Sequence, residues 1–299
     1  MPLLGVRGGL SVDHLVAEGR GAAFDQLGGP AVFAALGGRL VEGVGVRVAT
    51  GLPDDEPRFA ALFDSLGIDR GSSMPTPTVP RLWILDSRAG RRIVDVAPPS
   101  AVELETSAPT VAPANDDPIT PEGFYPRLAA LLDSSPLRRP AAAASTMVGI
   151  DPHQVPLQRD GMDYLRRVAC AGDVLLPSRV QLALIDGDVR AAARRISDEL
   201  QVSVVARLDR EGMVVIMPSQ EWIVQDRDVE VRETTGAGDS SAAAIMAALA
   251  VGADLVTAAM FGVSVARIAL AGWGAEALIA AEPLSAPSNG VIARQEKEK

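Results

Sequence analysis

The stretch Glu233-Thr234-Thr235-Gly236-Ala237-Gly238-Asp239-Ser240-Ser241, running on into AAAIMAALAV at 242–251, decides how this chain is read. Its two glycines let the backbone turn tightly and present its N–H groups. A helix of small residues begins there. The first turn of a helix adds N–H donors without intrahelical partners and the positive end of the helix dipole. Together these make an anion hole. Asp239 stands at the same helix start. A carboxylate beside an anion hole can accept a proton from an alcohol while the N–H groups hold the charge on a transferring phosphoryl. The plainer reading is a glycine-rich turn with an aspartate near a helix start, and these nine residues alone leave both open.

Outward from this stretch, strand and helix patterns alternate. LLGV (3–6) opens as a strand, GGPAVFAALGGRL (28–40) reads as a helix begun at a Gly-Gly turn, and VGVRVAT (44–50) as the next strand. GLPDDEPRFAALFDSLGID (51–69) reads as a helix capped by Asp54 or Asp55, with Pro57 in its first turn and Gly67 at its stop. Phe59, Leu62, Phe63 and Leu66 give it one buried face. RLWILD (81–86) and RRIVDV (91–96) flank SRAG as a hairpin leaving the main sheet. Residues 97–122 read as a long surface connection, with a helix around Phe124–Asp133 and a strand around Ala143–Ile150 after it. Strand DVLLP (173–177), helix DVRAAARRISDEL (188–200) capped by Asp188, and strands VSVVARL (202–208) and MVVIM (213–217) continue the alternation. Helices at Asp239–Val251, at Asp254–Ala271 and near Ala275 follow, then a charged tail, 293–299, expected to be disordered. The alternation predicts an α/β fold with a mostly parallel sheet covered on both faces, its ligands at the carboxyl ends of the strands.

Composition removes several classes of function. Of 299 residues, the only lysines are Lys297 and Lys299, so the body has no P-loop lysine, pyridoxal lysine or Ser-x-x-Lys pair. Cys170 is the single cysteine, which excludes an intrachain disulfide and a cysteine zinc site. Within VACAG it reads as buried filler. A net charge of −10 argues against a nucleic-acid surface. Asp254, Arg267 and Glu276 interrupt the most apolar region, so no membrane span is expected, and with no signal peptide the expected location is cytoplasmic. Gly5, Gly8 and Gly9 lack dinucleotide spacing. Gly262-Val-Ser264-Val-Ala266 falls in a helical pattern with no strand before it, which disfavours a hydrolase elbow. Asp151-Pro152 reads as the start of a turn.

Thr-Gly-Ala-Gly-Asp before a small-residue helix resembles the signature of the PfkB, or ribokinase-like, carbohydrate kinases. The likeness runs along the chain in family order. GGPAVFAALGGRL with VRVATGLPDD (46–55) resembles the family's Gly-Gly helix and following strand. TVPRLWILDSRAGRRIVDV (78–96) resembles its β-lid, and AMFGVSVARIALAGWGA (259–275) the helix lining the adenine pocket.

The resemblance implies a ribokinase-like three-layer α/β/α sandwich over residues 1–292, with a small β-sheet lid from about 10–27 and 76–97. It implies an ATP-dependent kinase that phosphorylates a hydroxyl of a small sugar, nucleoside or cyclitol. Asp239 would be the base, and Gly236, Ala237 and Gly238 the anion hole. Asp13, Gly28, Gly29, Phe33 and Trp83 are the substrate-side candidates, and Thr235, Arg207, Gly212 and Ser178 the nucleotide-side ones. ATP and Mg²⁺ are the implied cofactors, with no residue assigned to the metal. The expected partners are a hydroxylated small molecule and a second copy through the lid.

Three positions depart from the family pattern. Ser178 and Gln181 stand where Asn-x-x-Glu organises magnesium, Asp209 replaces the first glycine of a Gly-x-x-Gly turn, and Phe33 replaces a sugar-contacting asparagine. They keep a second reading open: a relative that binds a sugar-like or nucleotide ligand without phosphoryl transfer.

Overall fold

The structure is a computed structural model and describes residues 1–95 and 120–296. Its centre is a nine-stranded sheet. In chain order the strands are β1 (Leu3–Arg7), β4 (Gly45–Ala49), β9 (Ala130–Ser134), β10 (Met147–Asp151), β11 (Val174–Leu175), β12 (Ser203–Arg207), β13 (Met213–Met217), β14 (Gln220–Asp226) and β15 (Val291–Glu296). Across the sheet they run β15-β14-β13-β12-β11-β10-β9-β1-β4. From β4 to β12 every pairing is parallel, and the β12–β13–β14–β15 edge is antiparallel. A parallel strand needs a crossover, and the helices supply it on both faces.

Against one face pack α1 (Pro30–Arg39), α2 (Arg58–Ser65), α7 (Ala237–Ala250), α8 (Leu255–Leu270) and α9 (Glu276–Ala280), all contributing to the largest apolar core. Against the other lie α3 (Gln154–Asp160), α4 (Met162–Val168), α5 (Arg179–Ala183) and α6 (Val189–Leu200). This is the expected three-layer α/β/α architecture. No helix among the described residues is long and apolar enough to cross a membrane.

A second, four-stranded sheet stands off the first. It is built from β2 (Ser11–Ala17), β3 (Gly21–Gly28), β7 (Arg81–Ser87) and β8 (Gly90–Asp95), ordered β3-β2-β7-β8. Leu15, Ala17 and Ile84 close one face of it on Trp273 of the body. A short pair, β5 (Gly51–Pro53) and β6 (Met74–Thr76), completes the strands.

Several expectations need correction. ALLDS at 130–134 is strand β9, not the end of a helix. All five residues are buried between β1 and β10, and a short apolar run reads equally as buried helix or buried strand. Upstream of it only a single 3₁₀ turn forms, Glu122–Phe124. The tail is ordered as far as Glu296, because residues 291–296 pair with β14 as an edge strand; 297–299 fall outside the described residues. Most of the connection at 97–122 also falls outside them. Helix α2 starts with Pro57 at its N-cap and has no side-chain cap, while Asp55 accepts from the Val79 N–H. Cys170 is exposed, since VACAG follows α4 into a surface turn.

Candidate active site

Asp239 lies in the first turn of α7, with Gly236 at the N-cap in the left-handed region at φ 78°. The turn is fixed from two sides. Beneath it, the Phe33 ring of α1 fills the space where a Cβ on residue 236 would stand, 2.0 Å from Cδ1. Beside it, Glu233 is buried and its Oε1 accepts both the Thr235 N–H at 2.8 Å and the Thr235 hydroxyl at 2.7 Å.

The carboxyl ends of β10 and β12 meet under this turn. Arg207, the last residue of β12, donates through Nη1 to the Gly238 carbonyl at 2.5 Å and through Nη2 to Asp151 Oδ2 at 2.6 Å. It is 8% exposed, and its Nε is buried without a hydrogen-bond partner among the described residues. Asp151 ends β10. Its Oδ1 accepts from Gln181 Nε2 at 2.9 Å, and the same nitrogen also bonds the Pro152 carbonyl. Gln181 Oε1 accepts the Ser178 N–H, and the Ser178 hydroxyl accepts the Gln181 N–H at 3.4 Å. This reciprocal pair is a capping box that starts α5.

Across the cleft, β2 carries Asp13, 2% exposed. Ser11 Oγ donates to Asp13 Oδ1 at 2.7 Å. A Cβ on Gly28 would fall 2.0 Å from Asp13 Oδ2, so the paired strand β3 must end in glycine to let the carboxylate in. Gly29 follows as the N-cap of α1.

From the far strand of the lid, Arg91 Nη2 donates to Thr235 Oγ1 at 3.1 Å, across 144 residues of sequence. Burial pushes Asp239 up to about 6, with Asp151 raising it further and Arg207 and Arg91 opposing. Burial also pushes Asp13 up to about 6, against the Ser11 hydrogen bond and Arg91, with Glu233 adding to the rise. One guanidinium is thus felt by both carboxylates.

The structure therefore brings Asp13, Gly28, Thr235, Gly236, Ala237, Gly238, Asp239 and Arg207 to one region and gives Phe33 and Trp83 different places. Phe33 belongs to the main core, where its ring backs the Gly236 turn. Trp83 pairs with His14 in register, so it shares the lid face opposite Asp13 and stacks outside against His14 and Phe24. Gly212 closes the 209–211 turn beside Val224, and Ser178 is spent on the α5 cap. Asp209 is exposed at the surface. It takes φ 52°, the left-handed conformation that a glycine would adopt freely, and pairs with Arg179 Nε at 3.1 Å. Arg179 also bonds Glu211 and the Leu208 carbonyl.

Asp151 and Arg91 were missed by sequence reasoning. Asp151 is more than a turn former, because its carboxylate joins β10 to β12 through Arg207. Arg91 could have been found by alternation. It lies opposite Asp86, on the lid face that Ile84 turns to the body, whereas Arg92 pairs with Leu85 on the other face. A cavity of about 560 Å³ lined by Arg7, Tyr125, Arg138 and Arg139 includes none of these residues.

Residues 181–280 match the family model of the pfkB family carbohydrate kinases. No curated protein matches the chain. Among solved structures it is similar to ribokinase from Cryptococcus neoformans var. grubii serotype A in complex with ADP, at 16% identity and a TM-score of 0.67, covering 95% of this chain and 98% of that one. It is similar to fructokinase from Vibrio cholerae O395 with fructose, ADP and calcium bound, at 17% identity and TM-score 0.69, covering 93% and 96%. It is also similar to aminoimidazole riboside kinase from Salmonella enterica with aminoimidazole riboside and an ATP analogue, at 16% identity and TM-score 0.68, covering 92% and 94%. At these identities the likeness establishes the fold, which is ribokinase-like, and the resemblance to the pfkB carbohydrate kinases stands on the matched segment.

The sequence resemblance carries the expectation of Mg²⁺ with the nucleotide. The donors present do not fit a cation held by the protein. Both Asp151 oxygens are engaged by Arg207 and Gln181, Gln181 is neutral with both ends bonded, and Asp209 faces Arg179. Among the described residues no three His, Cys, Asp or Glu side chains cluster as a metal site would require.

Proposed function

We propose that this ribokinase-fold chain is an ATP-dependent phosphotransferase acting on a hydroxyl of a small sugar, nucleoside or cyclitol. The observation that carries the reading is the lid's approach to the N-terminal turn of α7, where Arg91 bonds Thr235 within electrostatic reach of the buried Asp13 and the half-buried Asp239. Asp13 and Asp239 are each pushed up to about 6 and each is felt by Arg91.

In this reading Asp13 accepts hydrogen bonds from the acceptor's hydroxyls, beside the Gly28-Gly29 backbone. Asp239 takes the proton of the reacting hydroxyl. The freed oxygen bonds to the γ-phosphorus while the bond from phosphorus to the β,γ-bridging oxygen breaks and ADP leaves. The N–H groups of Gly236, Ala237 and Gly238 hold the charge on the transferring group. A base near 6 is mostly ionised at neutral pH yet still matched to proton transfer. Thr235 and Arg207 flank the phosphates. Mg²⁺ enters only as the counter-ion that ATP carries, as part of the substrate.

The outward lid face carries His14, Phe24, Trp83, Leu85 and Val94, most of them exposed. An apolar sheet face of this kind supports a homodimer through the lid.

The test is transfer of label from γ-labelled ATP to a panel of sugars, nucleosides and cyclitols, with Asp239→Asn as the control. The second reading, a relative that binds without transfer, is favoured by one observation: Ser178 and Gln181 are committed to a capping box and to Asp151. Saturable binding of an ATP analogue, with no labelled product from any acceptor, would select it.

A further inference from the structure

We propose that Arg91 is a phosphoryl-contacting residue delivered by the lid, and that with Arg207 it supplies the positive charge that no protein-held metal supplies here. The inference rests on the kinase reading above and adds a residue to it.

Arg91 is placed for this by a chain of bonds. Glu233 accepts the Thr235 hydroxyl proton, so the Thr235 oxygen is left with its lone pairs for Arg91 Nη2 at 3.1 Å. Thr235 is the residue before Gly236, so the guanidinium stands at the rim of the anion hole. It has five N–H donors, and a single donor hydrogen satisfies Thr235. Arg207 reaches the same turn from the end of β12, at the Gly238 carbonyl. It is nine-tenths buried, and its Nε has no hydrogen-bond partner among the described residues. The two guanidiniums thus bracket residues 235–239, one from the lid and one from the sheet. The nearby carboxylate of Asp151 is paired with the Arg207 guanidinium, whose positive charge opposes a cation at the same oxygens, and it also accepts from the neutral Gln181. A guanidinium fork matches phosphate oxygens directly and needs no metal to do so.

The test is calorimetric titration of the full chain with pyrophosphate in metal-free buffer, comparing wild type with Arg91→Gln and Arg92→Gln. Arg92 is the neighbour on the outer lid face and serves as the control. Wild type and Arg92→Gln are expected to bind alike. Arg91→Gln should bind about tenfold more weakly or worse, the worth of one charge-assisted hydrogen bond, with an unchanged thermal midpoint. Equal binding by all three proteins would overturn the inference and would also be the result if Arg91 reads an anionic acceptor instead. Pyrophosphate binding that appears only when Mn²⁺ is added would overturn it too, by returning the charge to a metal. Transfer from ATP by a protein that fails this titration would leave the kinase reading standing and remove only the role of Arg91.

Discussion

A Cβ on Gly236 would fall 2.0 Å from Cδ1 of Phe33, so the Gly236 turn and the core of the protein occupy adjoining space with no room for a methyl group. The φ of 78° at the same residue adds a conformational demand. Gly236→Ala should therefore destabilise the fold by about 2 kcal/mol or more. Phe33→Ala should cost about 3–5 kcal/mol by leaving a cavity. In the double mutant the methyl group enters the space the ring has left, so the combined loss should fall well short of the sum. Urea denaturation of the four proteins measures this, and strict additivity would separate the two sites.

Asp239→Asn should lower the rate of phosphoryl transfer by ~10²–10⁴ and leave binding of an ATP analogue in place. Steady-state ADP release read beside calorimetry separates the two effects. Normal turnover would remove Asp239 as the base.

The same carboxylate gives a prediction in pH. Turnover requires ionised Asp239, so the rate should rise through about pH 6 and level off above it. Stability should move the other way. A folded value near 6 against an ordinary value of 3.8 means that the native state holds the proton more tightly. The contribution of Asp13 and Asp239 is then most favourable near pH 4, falls as pH rises towards 6, and is flat above. Asp239→Asn should accordingly be more stable than wild type at pH 7.5, by on the order of 1 kcal/mol, and the gain should vanish near pH 4. Thermal melts at both pH values test it.

How far these features could be read in the sequence follows from the range of the interactions. The 233–241 turn, its small-residue helix and the α/β alternation depend on neighbours in the chain, and they were legible. The fold follows from them. The links of Asp151 to Gln181 and to Arg207 span 30 and 56 residues of sequence and exist only once β10 and β12 lie in one sheet. Arg91 and Thr235 are further apart still. ALLDS at 130–134 carried no period to tell a buried strand from a helix, and RQE at 294–296 looked like tail because an edge strand tolerates charge. Phe33 stood at a position the resemblance gave to substrate, an aromatic there also reads as a core residue, and packing puts its ring in the core.

Asp209→Gly should leave nucleotide-analogue affinity unchanged, because the carboxylate is exposed and already paired with Arg179. The substitution relieves a left-handed aspartate at φ 52° and loses an exposed ion pair, so stability should change by no more than about 1 kcal/mol. A large gain in affinity on removing the charge would show that Asp209 does face the phosphates.

Trp83→Asp places a charge in the middle of the outer lid face, among His14, Phe24, Leu85 and Val94. Sedimentation velocity should show wild type as a dimer and the variant as a monomer with an unchanged far-ultraviolet spectrum. A wild-type monomer would leave that face without a second copy.

In the proposed kinase, the turn at 235–239 receives the phosphates of ATP. Calorimetric titration of the wild-type protein with a non-hydrolysable ATP analogue tests it most directly, with and without Mg²⁺ and with sugars present to close the lid. Saturable binding near one per chain is expected. No binding at millimolar analogue under any of these conditions would contradict it and leave the Thr-Gly-Ala-Gly-Asp turn a structural remnant.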